Sequence, residues 1–488
     1  MKTKFFSLGA LALIAVSAFT ACTSDKATVS TPPVVIGQAV SDAAPLSGSV
    51  KGTMLSGKTY TAGSDITINA GDTLLLQPGV TLKVGRGKTI LVKGVLISLG
   101  TKTLPNYIGP DRTFTKTDAV GAPAAADSAY IGYWTGINCE PTCTLLDLKW
   151  THIEYTGAAF GATFFPAGES AGSGSKGIVF SNPNGDFIME DSWMYGSIDD
   201  AVRISTGRLH IMRNTFEKCG ATGGDCLNAK SGSIGDMAYN LFVGTATNAT
   251  KASNKGGVGS QTNINMYNNT YICGGYRQKA PTGRGGSINY EEGARGKAFN
   301  NLIVNCRAGV RIHNNPAADV ANMSYGYNYS YGDSLRVMNN VYPVGASLTS
   351  GTTSVTVPQS TDIPAYTALL SNVNFQQAYL YTIVGGICPN IIAPYDGSAY
   401  VKVGNPMFTG FTLPLTGITR LADVSAVGSF TFKLQSTSPA LGKGTADASK
   451  IAPLNAVQVT NKNFKPTEVT LPGVDMGCYQ SNGIGNQH

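Results

Sequence analysis

The sequence predicts an all-β chain wound as a right-handed parallel β-helix, a single-stranded solenoid with a long insertion near its C-terminal end. Two observations point there: a five-residue pattern returns along the chain, and from Val202 onward a second pattern alternates with it. Composition agrees. Charged residues are 13% and hydrophobic residues 42%, with 59 glycines. That balance fits turn-rich β-structure around a sizeable core and not disorder, which needs high charge or low hydrophobicity.

The first pattern reads small, aliphatic, any, apolar or small, polar. Its copies are Gly136-Ile137-Asn138-Cys139-Glu140, Gly177-Ile178-Val179-Phe180-Ser181, Ala201-Val202-Arg203-Ile204-Ser205 and Cys226-Leu227-Asn228-Ala229-Lys230. A weaker copy, Gly257-Val258-Gly259-Ser260-Gln261, precedes Ser287-Ile288-Asn289-Tyr290-Glu291 and Gly309-Val310-Arg311-Ile312-His313. The aliphatic anchors are 41, 24, 25, 31, 30 and 22 residues apart. The second pattern sets Asn among apolar residues, as in Met212-Arg213-Asn214-Thr215-Phe216, Tyr239-Asn240-Leu241, Tyr267-Asn268-Asn269-Thr270 and Phe299-Asn300-Asn301-Leu302.

Period-2 alternation makes each pattern a half-buried strand. Units of one size that vary only by insertion imply stacked coils, because one coil cannot bury its apolar face alone. In-register stacking also lets like residues pile up, so the recurrent Asn is expected to form an amide ladder from coil to coil. A propeller would need about four strands per 40 to 50 residues, and the spacing here is too short.

The N-terminal half continues the theme in Ile66-Thr67-Ile68, Thr73-Leu74-Leu75-Leu76, Ile90-Leu91-Val92 and Val95-Leu96-Ile97. With Tyr133-Trp134-Thr135-Gly136-Ile137 these resemble the opening coils of the pectate-lyase-like right-handed β-helix superfamily. Asn405-Pro406-Met407-Phe408, Ser438-Pro439-Ala440-Leu441-Gly442 and Asp475-Met476-Gly477-Cys478-Tyr479 resemble its closing segment. The resemblance spans residues 48–480 and implies the fold. Within it, 314–400 reads as an irregular insertion containing one strand with an aromatic face (Tyr325, Tyr327, Tyr329, Tyr331), and 401–480 as the closing segment.

The start of the chain reads as an export signal. Lys2 and Lys4 precede an apolar run that ends in Phe19-Thr20-Ala21-Cys22. This resembles the lipobox of Gram-negative lipoproteins, with Phe in place of the usual Leu. It implies removal of residues 1–21, lipidation of Cys22, an outer-membrane anchor facing either the cell surface or the periplasm, and a tether over residues 22–47. Such a tether would reach tens of ångströms, at about 3 Å per residue. Export agrees with the cysteine count, since nine less Cys22 leaves eight. The expected disulfides are Cys139–Cys143, Cys219–Cys226, Cys273–Cys306 and Cys388–Cys478. Net charge is +7 without any Lys/Arg run, so a nucleic-acid partner is not expected.

If the anchors point inward, the residues between them point outward in two columns. One column holds Asn138, Val179, Arg203, Asn228, Gly259, Asn289 and Arg311. The other holds Glu140, Ser181, Ser205, Lys230, Gln261, Glu291 and His313. In the superfamily an outward strand face often forms a sugar groove, so the partner expected from the resemblance is a polysaccharide. Asn228, Gln261, Asn289, Glu291, His313 and Tyr290 are the candidate sugar contacts.

Cleavage of an acidic polysaccharide by elimination needs a base and cations that stabilise the enediolate. Lys230 is the candidate base, with Arg203 and Arg311 as the cations. Asp199, Asp200 and Asp225 would hold Ca²⁺ through oxygen ligands. A hydrolase would instead use two carboxylates across the bond, Asp200 with Asp225. The Asn-Thr-Asp and Gly-His-Gly segments of polygalacturonases do not occur. The first reading is a lipid-anchored envelope protein that binds glycan along this face, in a groove flanked by exposed aromatics, Tyr276, Tyr290 or the 325–331 tyrosines. The lyase or hydrolase is the alternative, and an adhesive or structural subunit of an outer-membrane complex with a flat or covered face is a further one.

Overall fold

A computed structural model describes residues 33–116, 127–255, 260–277, 285–313, 316–332, 347–350, 353–356, 405–415, 430–467 and 471–488. The leader, Cys22 and most of the tether lie outside these residues. From Val35 on the chain forms one unit. It is engaged before the expected end of the tether, because Ile36 and Val40 already hydrogen-bond Thr53.

The architecture is a right-handed parallel β-helix with three strands per coil. One coil runs through Ile178–Phe180, Asp186–Glu190 and Trp193–Ser197, and the next begins at Val202–Ile204. Strands stack coil on coil into a first, second and third face in that order. The second face is a sheet of ten strands. The first and third belong to one sheet of nineteen, because the long strand Thr59–Ile68 pairs with both Thr81–Val84 and Thr89–Val92.

The expected register holds along the first face. Ile137 pairs with Ile178, Ile178 with Val202, Val202 with Leu227, and Ile288 with Val310. One rung is corrected. Between Leu227 and Ile288 stands Thr250, on the strand Asn248–Ser253, and not Val258. Thr250 is fully buried, and its hydroxyl lies 3.1 Å from that of Tyr271, so a β-branched polar residue fills an aliphatic place. Val258 lies outside the described residues. The outward columns therefore contain Lys251 and Ser253 where Gly259 and Gln261 were expected.

The second sequence pattern is two strands bent at a corner. Arg208–Met212 ends at Arg213, whose φ is 59°, and Thr215–Cys219 opens the third face. Trp150, Asp191, Tyr239, Asn268, Asn300 and Tyr327 occupy equivalent corners, all with φ between 47° and 60°. The left-handed region is uncommon for such residues. From Arg213 on it is held by the asparagine that follows each corner. Asn214 Nδ2 donates to Asn240 Oδ1 (3.0 Å), Asn240 to Asn269 (3.1 Å), Asn269 to Asn301 (3.2 Å) and Asn301 to Asn328 (2.9 Å). Each Oδ1 also accepts the backbone N–H of the preceding rung, so the expected amide ladder runs unbroken through the interior.

Inside, Phe216, Phe242 and Tyr271 stack at 5.1 Å with interplanar angles of 8° and 6°. Each fully buried ring of this kind contributes about 1.5–3 kcal/mol of transfer free energy.

The tyrosines at 325–331 do not form a single strand in an insertion. Met323–Gly326 and Tyr329–Tyr331 are the second- and third-face strands of one more coil, with Tyr327 at the corner between them. A short antiparallel hairpin follows, Ser347–Ser350 with Thr353–Thr356.

The closing segment covers two faces. Phe408, Phe411, Phe432, Met476 and Cys478 pack on Leu241, Val243, Ile272, Leu302 and Val304 of the third. Residues 450–467 run along the second.

The seven described cysteines are buried thiols. Cys139 and Cys143 are neighbours in the interior, as are Cys219 and Cys226. Two of these thiols donate to carbonyls, Cys143 to Leu145 (3.6 Å) and Cys219 to Glu217 (3.7 Å). The expected Cys273–Cys306 bridge is not formed: Cys306 faces the interior, whereas Cys273 faces the outer cluster under the closing segment. Cys388 lies outside the described residues, and with it the expected Cys388–Cys478 pair.

Candidate functional site

Among the described residues the closing segment supplies no wall to the first face, and there the outward columns open into a cavity of about 240 Å³. Its floor and sides come from consecutive coils. Asp199 and Asp200 precede the strand of Val202, Asp225 precedes that of Leu227, and Thr247 and Asn248 lead into that of Thr250. Arg203, Asn228, Lys251 and Arg311 project from one column; Lys230, Glu291 and His313 project from the other. Five coils at about 4.8 Å each make the lined stretch roughly 20 Å long.

The charges are paired in a definite order. Arg203 donates to Asp200 Oδ2 at 2.7 and 2.8 Å, and Asp200 Oδ1 accepts the backbone N–H of Asp225 at 2.7 Å. Asp225 Oδ1 accepts from the Thr247 hydroxyl (2.6 Å) and Asn248 Nδ2 (2.8 Å). Lys251 lies 2.6 Å from Glu291 and 3.6 Å from Asp225. Arg311 reaches Asn248 Oδ1 (3.3 Å) and His313 Nε2 (3.0 Å), and His313 lies 3.9 Å from Glu291.

Lys230 is different. Its side chain has neither a hydrogen bond nor an ion pair with any described residue. Half-burial first, and then the charges of Arg203 and Lys251, hold its ammonium below the ordinary lysine range, against the pull of Asp200 and Asp225. The acids divide. Burial, with Asp225 next to it, holds Asp200 above the usual carboxylate range. Burial acts on Asp225 too, but Lys251 and the Thr247 and Asn248 hydrogen bonds outweigh it and bring Asp225 below that range. For Glu291, burial is likewise outweighed by Lys251, and its carboxyl is lowered.

Of the sequence-predicted residues, the structure gathers Arg203, Lys230, Arg311, Asn228, Glu291, His313, Asp199, Asp200 and Asp225 at this cavity. It corrects four expectations. Tyr290 is fully buried in the interior, its hydroxyl donating to the Ile264 carbonyl at 2.7 Å, as its place two residues after an inward anchor requires. Asn289 is fully buried and donates to Glu291 at 3.0 Å, so it positions that acid; it is not among the residues that line the cavity. Gln261 lies off the first face, bonded to the Gly293 carbonyl and Asp319. The Asp199, Asp200 and Asp225 carboxylates do not form a calcium site, because the oxygens of the latter two are taken by donors of the protein. No group of three or more His, Cys, Asp or Glu side chains among the described residues is placed to hold a metal ion.

The same saturation argues against Asp200 and Asp225 as a hydrolytic pair. Lys251, Thr247 and Asn248 were missed in the sequence. Their signal is the period-two alternation of Asn248-Ala249-Thr250-Lys251-Ala252-Ser253, which lacks the aliphatic anchor that Val258 supplies. None of the aromatic candidates Tyr276, Tyr290, Tyr325, Tyr327, Tyr329 and Tyr331 lines the cavity.

Compared with known proteins, the chain matches no family model, no curated protein and no solved structure.

Proposed function

We propose that this chain binds an acidic polysaccharide at the first-face cavity and cleaves it by β-elimination, with Lys230 as the base. One observation carries the reading: among four cations lining the cavity, Lys230 alone is left without a partner among the described residues, and half-burial and the charges of Arg203 and Lys251 hold its pKa below the ordinary lysine value. A base must be unprotonated and free to reach its proton.

In the reaction the Lys230 amine takes the proton from the carbon next to the sugar carboxylate. The electron pair of that C–H bond forms a carbon–carbon double bond as the glycosidic C–O bond breaks. The departing oxygen takes up a proton from water. Arg311 and Arg203 are the cations within the cavity that face the carboxylate as negative charge moves onto it.

The test is a screen of the purified full-length chain against uronate polysaccharides, following the ultraviolet absorbance of the unsaturated product. Cleavage is expected to be lost in Lys230→Ala and to rise with pH in the unaltered chain, as a lysine of lowered pKa sheds its proton. Cleavage that survives Lys230→Ala would dismiss this base.

A second reading, binding without cleavage, is favoured by the pairing of Arg203 with Asp200 and of Lys251 with Glu291. Those cations are held for structure and are less free to follow charge during a reaction. Retention of a uronate polysaccharide without any unsaturated product would select it. In both readings the chain is taken to be anchored to the outer membrane through lipidated Cys22, on the grounds of the leader and lipobox. Labelling with a radioactive fatty acid, lost in Cys22→Ala, tests that point.

A further inference from the structure

We infer that the cavity selects a sugar acid by one of its ring hydroxyls as well as by its carboxylate, and that Asn228 reads the hydroxyl. The inference rests on the acidic-polysaccharide reading above and deepens it.

Asn228 lines the cavity and is 2% exposed. Its amide nitrogen donates to Asp200 Oδ2 (2.9 Å) and Asp225 Oδ2 (3.2 Å). Two carboxylates on that side fix the orientation of the amide, since a flipped carbonyl oxygen would face two acceptors. The carbonyl oxygen Oδ1 is buried and has no hydrogen-bond donor among the described residues. A buried acceptor left unmet is costly, and a ligand donor that meets it recovers that cost. Two positions on from Asn228, Lys230 presents the converse, N–H donors without an acceptor among the described residues.

A ligand that answers both groups brings an anionic acceptor and a hydroxyl donor together. Sulfate brings acceptors only and would leave Asn228 unmet. The charge balance points the same way. Four carboxylates (Asp199, Asp200, Asp225, Glu291) stand among the four cations of the lining, so a dense anion gains little net attraction. Ring hydroxyls, by contrast, can donate to the more open acids, of which Asp199 is 41% exposed. The ligand class is therefore a carboxylated sugar with at least one free hydroxyl on the carboxylated ring.

The experiment is calorimetric titration of the full-length chain. The probes are uronate trisaccharides of α and β linkage, singly deoxygenated analogues of whichever binds, and inorganic sulfate. Removal of one particular hydroxyl is expected to weaken binding about tenfold, the effect of one buried hydrogen bond. Asn228→Ala is expected to abolish that difference, and sulfate to bind at least about tenfold more weakly than the parent sugar.

If every deoxy analogue binds like its parent, or if Asn228→Ala preserves the difference, the inference is overturned while the acidic-glycan reading stands, provided Lys230→Ala still weakens binding. If no uronate binds the unaltered chain, both fall. Should Asn228→Ala not fold, the deoxy series on the unaltered chain decides alone.

Discussion

Lys230 and Glu190 are charged residues on the same stack of coils, one on the first face and one on the second, and their surroundings differ in one respect. Glu190 is fully buried beneath residues 450–467, and every donor near it belongs to the protein. It accepts from His210 (2.7 Å) and from the backbone N–H and hydroxyl of Thr467 (3.0 and 2.8 Å), and it lies 3.4 Å from Arg213. Asp186 and Asp236 on the same face accept backbone N–H groups from Gln458, Leu454 and Asn455. On the first face no such segment lies over Lys230 among the described residues. Charge on the second face fastens the closing segment; charge on the first is left partly unspent and faces a cavity. A polar outward column thus acquires its role from what is laid over it.

The largest expected effects separate the two faces. Glu190→Gln leaves Lys149, Arg213 and His210 without their buried carboxylate and should cost about 3–5 kcal/mol in chemical denaturation. Lys230→Ala should change stability by less than about 0.5 kcal/mol yet lower any elimination rate by at least about 10²-fold. A large stability loss in Lys230→Ala would break the contrast. Next in size is Asn240→Ala, which removes an interior rung bonded on both sides and should cost about 1–3 kcal/mol; a smaller loss would show that the ladder is bridged by water.

A further effect is in pH dependence, and it differs in sign between two acids under the same segment. Burial would raise Glu190, but His210, Arg213 and Lys149 outweigh it and bring its pKa from 4.5 down to about 2. Its contribution is therefore present above pH 4.5 and is lost as pH falls through about 2. For Asp236 burial prevails over the N–H groups of Leu454 and Asn455 and over His210, and its pKa is pushed up to about 6 from 3.8. Its contribution is complete below 3.8 and is lost as pH rises through about 6. In Asp236→Asn the decline in denaturation midpoint between those values should disappear; if it persists, another group is responsible.

Gly224 offers a way to sharpen the contrast from the first face. Its φ is +87°, and a Cβ there would meet the Asp199 carbonyl carbon at 2.4 Å. Gly224→Ala should therefore displace the Asp199–Asp200 turn and weaken uronate binding more than it weakens the fold, as parallel titration and denaturation would show.

What was legible in the sequence was whatever repeats. The anchors Ile178, Val202, Leu227, Ile288 and Val310 announce an inward file, and the residues between them announce the cavity. The asparagines announce their ladder. Thr250 was missed because a threonine that buries its methyl group looks like a turn residue, and with it went Lys251. The corners were silent, since Trp150, Arg213 and Tyr239 hold left-handed backbone that is normally signalled by glycine or asparagine. The route of residues 450–467 has no period at all. It is set by single N–H groups meeting single carboxylates, which a linear pattern does not show. Tyr290 falls on the inward side of the alternation that places its neighbours, two residues after Ile288.

The asparagine ladder also bears on how this molecule can vary. Its rungs lie 26, 29, 32 and 27 residues apart in the chain, yet consecutive rungs are in direct contact. All the difference in length is taken up elsewhere in each turn, in loops that leave the axis and return to it. Loops bordering the cavity can therefore lengthen, shorten or change composition without disturbing the phase of the spine, whereas one residue added beside a rung would throw every turn beyond it out of step.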